Sequence, residues 1–305
     1  MRRFKQYGAW LALLMYIVAI QLLLDWRRVL AAWSVFPPAE LVIGVVLACV
    51  TYALRSLRFY CYFSHRYALD GRRLLRLTLH HNFLNNLLPA RSGEISFPVL
   101  MKRYFGVPWR VTAPALLWLR LLDLHTVLTP GVSALLWQQG ETGWLIAFLL
   151  LWPCLPWLVY AIRGRLSRLA RKNKTLHWVW LRLAEGFPRS PAQFVWSWGL
   201  TWANWLVKLL VLAWILSTLL TLNPAVAIIG VILGELTAIL PIHAPAGIGS
   251  YEAGVIAGLT PFGVDLASAG AAAINLHLFV LGVASSGGLL ALALGWRDRS
   301  ANQGA

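Results

Sequence analysis

Among the ionisable side chains that interrupt or border long apolar stretches of this chain, six stand out: Arg91, Glu94, Arg120, Asp123, Glu235 and Glu252. A charge at the centre of a bilayer costs about 2.5–3.5 kcal/mol on insertion scales, so groups of this kind face a protein interior or a cavity. Arg91 stands beside Pro89 and Gly93, where backbone N–H groups freed from helical bonding add to its positive field, a combination suited to phosphate. Glu94 either pairs with Arg91 near the interface or belongs to the same site. Arg120 and Asp123 are three residues apart and share a helix face. They form an intrahelical ion pair, or leave Arg120 to reach a headgroup or Glu94 inside the bundle. Glu235 and Glu252 bracket Gly247-Ile248-Gly249, a sharply turning backbone. Glu252 falls at the start of a short helix whose dipole favours a carboxylate, so capping and ligand binding are both open to it.

Other chemistries find no pattern. His80 and His81 are adjacent and point in different directions on a helix, which makes them poor joint metal ligands. His125, His243 and His277 are scattered, and no nucleophile elbow or His-Glu metal spacing is present. Cys49, Cys61 and Cys154 form neither a disulfide framework nor a zinc site. The glycine pair at 247 and 249 follows no strand, so it does not read as a nucleotide loop. No catalytic residues, metal or cofactor are expected, and the chain does not read as an enzyme.

The composition says which elements must hold these residues. Of 305 residues, 59% are hydrophobic and 12% charged, with a mean hydropathy of +0.66. A soluble domain of this length needs far more polar surface. Stretches of about 20 apolar residues, enough to cross a hydrocarbon core of roughly 30 Å, recur from end to end. Full spans are expected at 8–25, 41–63, 111–137, 143–162, 192–220 and 266–294. The first of these ends in Asp25-Trp26-Arg27-Arg28 without a small-residue cleavage pattern, so it reads as an uncleaved span rather than a signal peptide. Two further apolar regions are broken: 74–104 by His80, His81, Asn82, Asn85, Asn86, Pro89, Arg91 and Glu94, and 225–262 by Glu235, Pro241, His243, Pro245, Gly247, Gly249 and Glu252. Backbone that leaves helical geometry at membrane depth must be buried in protein or line a wet cavity. The expected fold is all-α: a polytopic membrane protein with about six full transmembrane helices and two broken, re-entrant segments, in a single integral membrane domain over residues 1–305.

The net charge of +16 is carried in short runs flanking apolar segments, the pattern of cytoplasmic loops and not of a nucleic-acid surface. Arg66, Arg72, Arg73 and Arg76, then Lys102, Arg103 and Arg110, then the loop 163–190, and finally Arg297 and Arg299 alternate with turns at 138–142 and 221–224 that lack Lys and Arg. Both termini in the cytoplasm is the consistent orientation. The loop 163–190 interleaves its basic residues with Leu166, Leu169, Leu176, Leu181 and Leu183, as an amphipathic helix on an anionic lipid surface does. In this orientation the two broken regions enter from opposite sides, the arrangement expected of inverted repeats. Leu88-Pro89-Ala90-Arg91-Ser92-Gly93-Glu94 is faintly echoed by Leu240-Pro241 with Gly247, Gly249 and Glu252. A homo-oligomer is compatible with all of this.

Asn86 through Glu94, then Arg120-Leu121-Leu122-Asp123, then Pro241 through Gly249-Ser250-Tyr251-Glu252 resemble, in order, the signatures of the lysylphosphatidylglycerol synthase transmembrane-region family. That family includes the flippase half of bacterial multiple-peptide-resistance proteins and many stand-alone membrane proteins, and the likeness covers residues 8–294. It implies re-entrant segments, a bacterial inner membrane and a lipid translocator holding a phospholipid or lipid-linked headgroup in an intramembrane cavity. Arg91 and Arg120 would meet phosphate, while Glu94 and Glu252 would meet a cationic group or balance the arginines. The soluble domain that makes aminoacylated lipid in some members is not in this sequence, so lipid synthesis is not expected and the lipid stays open. Stand-alone relatives have been linked to hopanoids and polyprenyl-linked sugars. Trp118 and Leu119 stand where a carboxylate often precedes the Arg-x-x-Asp element, and His243-Ala244-Pro245-Ala246 stretches the glycine turn. A membrane-embedded lipid-modifying enzyme and a non-transporting scaffold of a glycolipid pathway are the competing readings.

Overall fold

The computed structural model describes residues 25–239 and 244–303 with Val18, Gln21 and Leu22; for Arg28, Ala90, Arg91 and 296–303 it describes the backbone alone. Among the described residues the chain is helical without a strand. The helices are α1 Trp26–Ala31, α2 Pro38–Phe63, α3 Gly71–Leu87, α4 Ser96–Phe105, α5 Trp109–Gln138, α6 Thr142–Leu151, α7 Cys154–Ala170, α8 Lys174–Ala184, α9 Pro191–Leu220, α10 Pro224–Ile239, α11 Ser250–Leu259 and α12 Leu266–Gln303. Short 3-10 turns occupy Pro89–Ile95 and Pro245–Gly247.

Local chemistry sets many of the boundaries. Pro38, Pro191 and Pro224 open helices, where a missing N–H leaves no bond unmade. Asn173 caps α8 by accepting the N–H groups of Thr175 and Leu176 at 2.9 and 3.2 Å. Gly106, at φ 68°, closes α4.

Five helical stretches among the described residues are long and apolar enough to cross a membrane: α2, α5, α6 with α7, α9, and Leu266–Gly295 of α12. The chain is an all-α, multi-pass membrane protein. The first expected span, 8–25, lies outside the described residues apart from Val18, Gln21, Leu22 and Asp25. The other five fall where hydropathy places them. α7, however, runs past the expected end at 162 to Ala170, because its arginines alternate with Leu166 and Leu169 at helical spacing. Trp144, Ile146, Leu150, Leu151 and Leu158 on α6 and α7 are exposed, an apolar surface that a lipid solvent accommodates.

The described chain divides into two compact units. The first contains the residues up to Cys49, Asn82–Gly93 and Lys208–Gly287; the second contains Val50–His81, Glu94–Val207 and the chain from Gly288.

In the second unit, Phe59 and Phe63 of α2 pack on Phe97 of α4 with ring centroids 4.4 and 6.1 Å apart. Leu74, Met101, Leu119 and Phe194 complete the same buried cluster. α3 and α4 run antiparallel here. His81 Nδ1 lies 2.9 Å from Ser96 Oγ, and Arg76 Nη2 donates to the Tyr104 hydroxyl at 3.1 Å.

In the first unit α10 and α11 also form an antiparallel hairpin, held backbone to backbone. A Cβ added at Gly258 would lie 2.7 Å from Gly230 Cα, and one at Gly254 would lie 2.5 Å from the Leu233 carbonyl oxygen. Gly230-x-x-x-Gly234 and Gly254-x-x-x-Gly258 are small-residue stripes of the kind that bring membrane helices close in the absence of a hydrophobic driving force. α11 has ten residues and a length of about 15 Å, half of a roughly 30 Å hydrocarbon core. It is too short to cross that core by itself. α4 also has ten residues. The order long helix, broken hairpin, long helix therefore occurs twice, as α2, α3–α4, α5 and as α9, α10–α11, α12.

Candidate functional site

Asp123 is the centre of a buried ion network in the second unit. It lies about 21 Å along α5 from Trp109 at 1.5 Å per residue, well inside a membrane-crossing helix. Its Oδ1 accepts from Arg58 Nη1 at 2.6 Å and Trp205 Nε1 at 2.9 Å; its Oδ2 accepts from Arg120 Nη1 at 2.8 Å and Arg58 Nη2 at 3.5 Å. A carboxylate has about four lone-pair sites, and all are used. Arg58 Nη1 also donates to Thr201 Oγ1 at 2.9 Å. Arg120 continues the network to Glu94, whose Oε1 lies 3.0 Å from its Nε, and to His81, whose Nε2 lies 3.4 Å from its Nη2. Arg55, one turn before Arg58, is buried within the field of Asp123 and both other arginines.

The burial is graded. Arg58 and Asp123 are sealed at 1% side-chain exposure each, whereas Arg120 keeps 14% and Glu94 keeps 19%.

The first unit holds a separate set of charges. Lys208 of α9 donates to Glu235 of α10 at 2.6 Å. Glu252 of α11 uses both oxygens: Oε2 accepts the N–H of Gly249 at 2.8 Å, closing the N-terminus of α11, and Oε1 lies 2.7 Å from His277 Nδ1 on α12. Gly249 has φ 78°, a conformation that suits glycine and lets the chain turn into α11. The Tyr251 ring stacks on His277 with centroids 4.7 Å apart.

Glu94, Arg120, Asp123, Glu235 and Glu252 each have a definite place. Arg120 and Asp123 form the i,i+3 pair, and Arg120 also reaches Glu94. Glu252 does cap a helix. Glu235 and Glu252 belong to one unit and the Arg120 network to the other. Arg91 is on the 3-10 turn before Glu94, and its side chain lies outside the described residues, as do Pro241 and His243. Arg55, Arg58 and Lys208 escaped the sequence reading although they obey the rule that found Arg120, being cations inside apolar spans. His81 and His277 carried no signal of their own. Among the described residues no group of three His, Cys, Asp or Glu side chains converges as metal ligands do.

Residues 9–288 match the family model of the lysylphosphatidylglycerol synthase TM region. No curated protein and no solved structure matches the chain. The match takes in nearly the whole sequence, and the chain belongs to this family, a family of membrane proteins tied to lipid.

Proposed function

We propose that this member of the lysylphosphatidylglycerol synthase TM-region family is a lipid translocator that binds the headgroup of a phospholipid or lipid-linked sugar within the membrane. The observation that carries this reading is the graded network of the second unit, sealed at Arg58 and Asp123 and open at Arg120 and Glu94. Arg120 is fixed on two sides by carboxylates, so a planar cation is already oriented before a ligand arrives. Guanidinium is weakly hydrated and binds phosphate in two-point fashion, which favours it over lysine for this task. Glu94 supplies a negative group beside it for a cationic or hydroxyl-bearing headgroup. Arg91, beside Pro89 and Gly93 in the sequence, is proposed as a phosphate ligand on its chemistry alone. Acyl tails stay in the hydrocarbon, and no covalent bond is made or broken.

The same proposal sets the protein in a bacterial inner membrane with its basic ends in the cytoplasm. α8 then lies on the anionic leaflet, with Leu176, Trp178 and Leu181 exposed beside Lys174 and Arg182. A cleft of about 330 Å³ lined by Arg163, Ser167, Trp180, Phe187 and Arg189 sits in this region and accommodates a headgroup at the surface.

The test is reconstitution into phospholipid vesicles carrying fluorescent phosphatidylglycerol, with an impermeant quencher reporting movement between leaflets. The wild type should expose the inner-leaflet probe. Arg120→Gln and Arg91→Ala should each slow it by about 10- to 100-fold, the loss of a hydrogen bond to a charge worth about 1.5–3 kcal/mol. Glu94→Gln should alter which headgroups move. Wild-type rates in all three variants, at equal folded yield, would remove the site. A product of new mass in the extracted lipids would turn the reading to an enzyme.

A further inference from the structure

The translocator reading uses the second unit's network with Arg91, and leaves Lys208, Glu235, Glu252 and His277 of the first unit unexplained. Glu252 and His277 are buried, at 8% and 3% side-chain exposure, on the short helix α11 and on α12, which is long and apolar enough to cross a membrane. Capping of α11 needs one oxygen of Glu252, the one that accepts from Gly249. The other oxygen is given to an imidazole.

That choice of partner is informative. A carboxylate at membrane depth can be balanced by a permanent cation, and the same unit does so at Glu235, where Lys208 lies 2.6 Å away. Imidazole carries a charge only when it holds a second proton, and of the side chains it is the one whose ordinary range falls near neutrality. At 2.7 Å between Nδ1 and Oε1 the pair shares a proton in either state, so a further proton can be added or removed without breaking the contact. A lipid headgroup needs an opening, whereas a proton needs only a path of donors and acceptors.

Lys208 on α9, Glu235 on α10, Tyr251 and Glu252 on α11 and His277 on α12 bring ionisable groups from four elements of one unit together. Tyr251 links the two pairs: its ring stacks on His277, and its hydroxyl feels both Glu235 and Glu252.

We infer that the Glu252–His277 pair is a proton-binding site whose occupancy is coupled to the seating of the short helix α11. Glu252 reads the proton through Oε1 and holds the Gly249 N–H through Oε2, so a change of charge at the pair acts directly on the N-terminal cap of α11. The inference rests on the translocator reading only for the work that a proton gradient would drive.

Two measurements on the full chain separate these claims. In nanodiscs, the His277 ring signal, assigned by its loss in His277→Gln, should show a one-proton transition as pH is varied. The transition should shift or vanish in Glu252→Gln, while the transition of exposed His65 stays put. A static His277 signal, or one identical in Glu252→Gln, overturns the site. In vesicles of phosphatidylethanolamine and phosphatidylglycerol with the fluorescent probe, a one-unit pH difference across the membrane should change the wild-type rate by up to about tenfold, the change in proton activity. His277→Gln should lose that response and keep the rate measured without a gradient. A wild type that moves lipid with no response to the gradient, or a His277→Gln variant that keeps the response, overturns the coupling. A wild type that moves no lipid removes the translocator reading and leaves the ring signal to decide the proton site.

Discussion

Asp123 holds two arginines at once, and neutralising it is the residue-scale change with the largest expected effect. In Asp123→Asn, Arg58 stays buried at 1% exposure with its main counter-ion gone, while Arg120 keeps Glu94. Breaking a buried pair by removing one partner costs about 3–5 kcal/mol, because the other charge is left uncompensated. For a chain of this size that corresponds to a fall of about 5–15 °C in the thermal unfolding midpoint of the detergent-solubilised protein. Asp123→Asn with Arg58→Met should recover part of the loss, since both ends of the pair are then neutral. An unchanged midpoint in the single variant would show that the network contributes nothing to stability. The sequence exposes Arg120 and Asp123 through spacing alone, three residues apart on one helix. It hides the rest because the partners are remote: Arg58 is 65 residues from Asp123 and Trp205 is 82. Burial of a cation in an apolar span is a local signal, but the carboxylate that accepts it is not.

The broken elements were legible as interruptions before they were legible as hairpins. Pro, Gly and charge at 74–104 and 225–262 mark the loss of a continuous span, and both regions are helix, turn, helix in the structure. What composition does not convey is the register, which in the first unit is set by glycines that remove all side chain from the contact. At Gly258 the nearest obstacle to a Cβ is the Gly230 backbone at 2.7 Å, and backbone cannot rotate away. Gly258→Ala must therefore part α10 from α11, at the 1–3 kcal/mol typical of overpacking, or a midpoint lower by about 2–10 °C. Gly282, on an exposed turn of α12, has nothing within 4 Å of an added Cβ. Gly282→Ala should leave the midpoint unchanged or raise it, because alanine favours the helix by up to about 1 kcal/mol. Equal effects at the two positions, measured by thermal unfolding, would show that the α10–α11 contact is not a close one in the membrane.

At the scale of the whole molecule, parity constrains the topology without the first span. If each hairpin returns to the side from which it entered, the chain crosses three times between them: along α5, along α6 with α7, and along α9. Three is odd, so the hairpins enter from opposite faces, as inverted repeats do. The same count puts the segments 66–76, 102–110, 163–174 and 297–299 on one face, and these hold the arginine and lysine clusters. The charge rule predicts that a basic face of that kind is the cytoplasmic one. Single cysteines placed at exposed positions in a chain lacking Cys49, Cys61 and Cys154 test every step. Ala68→Cys, Arg110→Cys and Lys172→Cys should react with an impermeant maleimide only after the cell membrane is opened. Gln139→Cys, Asn223→Cys and Ala267→Cys should react in intact spheroplasts. Positions 68 and 110 flank the first hairpin, and 223 and 267 flank the second. Labelling of 68 and 110 from opposite sides, or of 223 and 267, would mean that a hairpin crosses. A full reversal would keep the hairpins and invert the protein, placing its basic segments on the outer face against the charge rule.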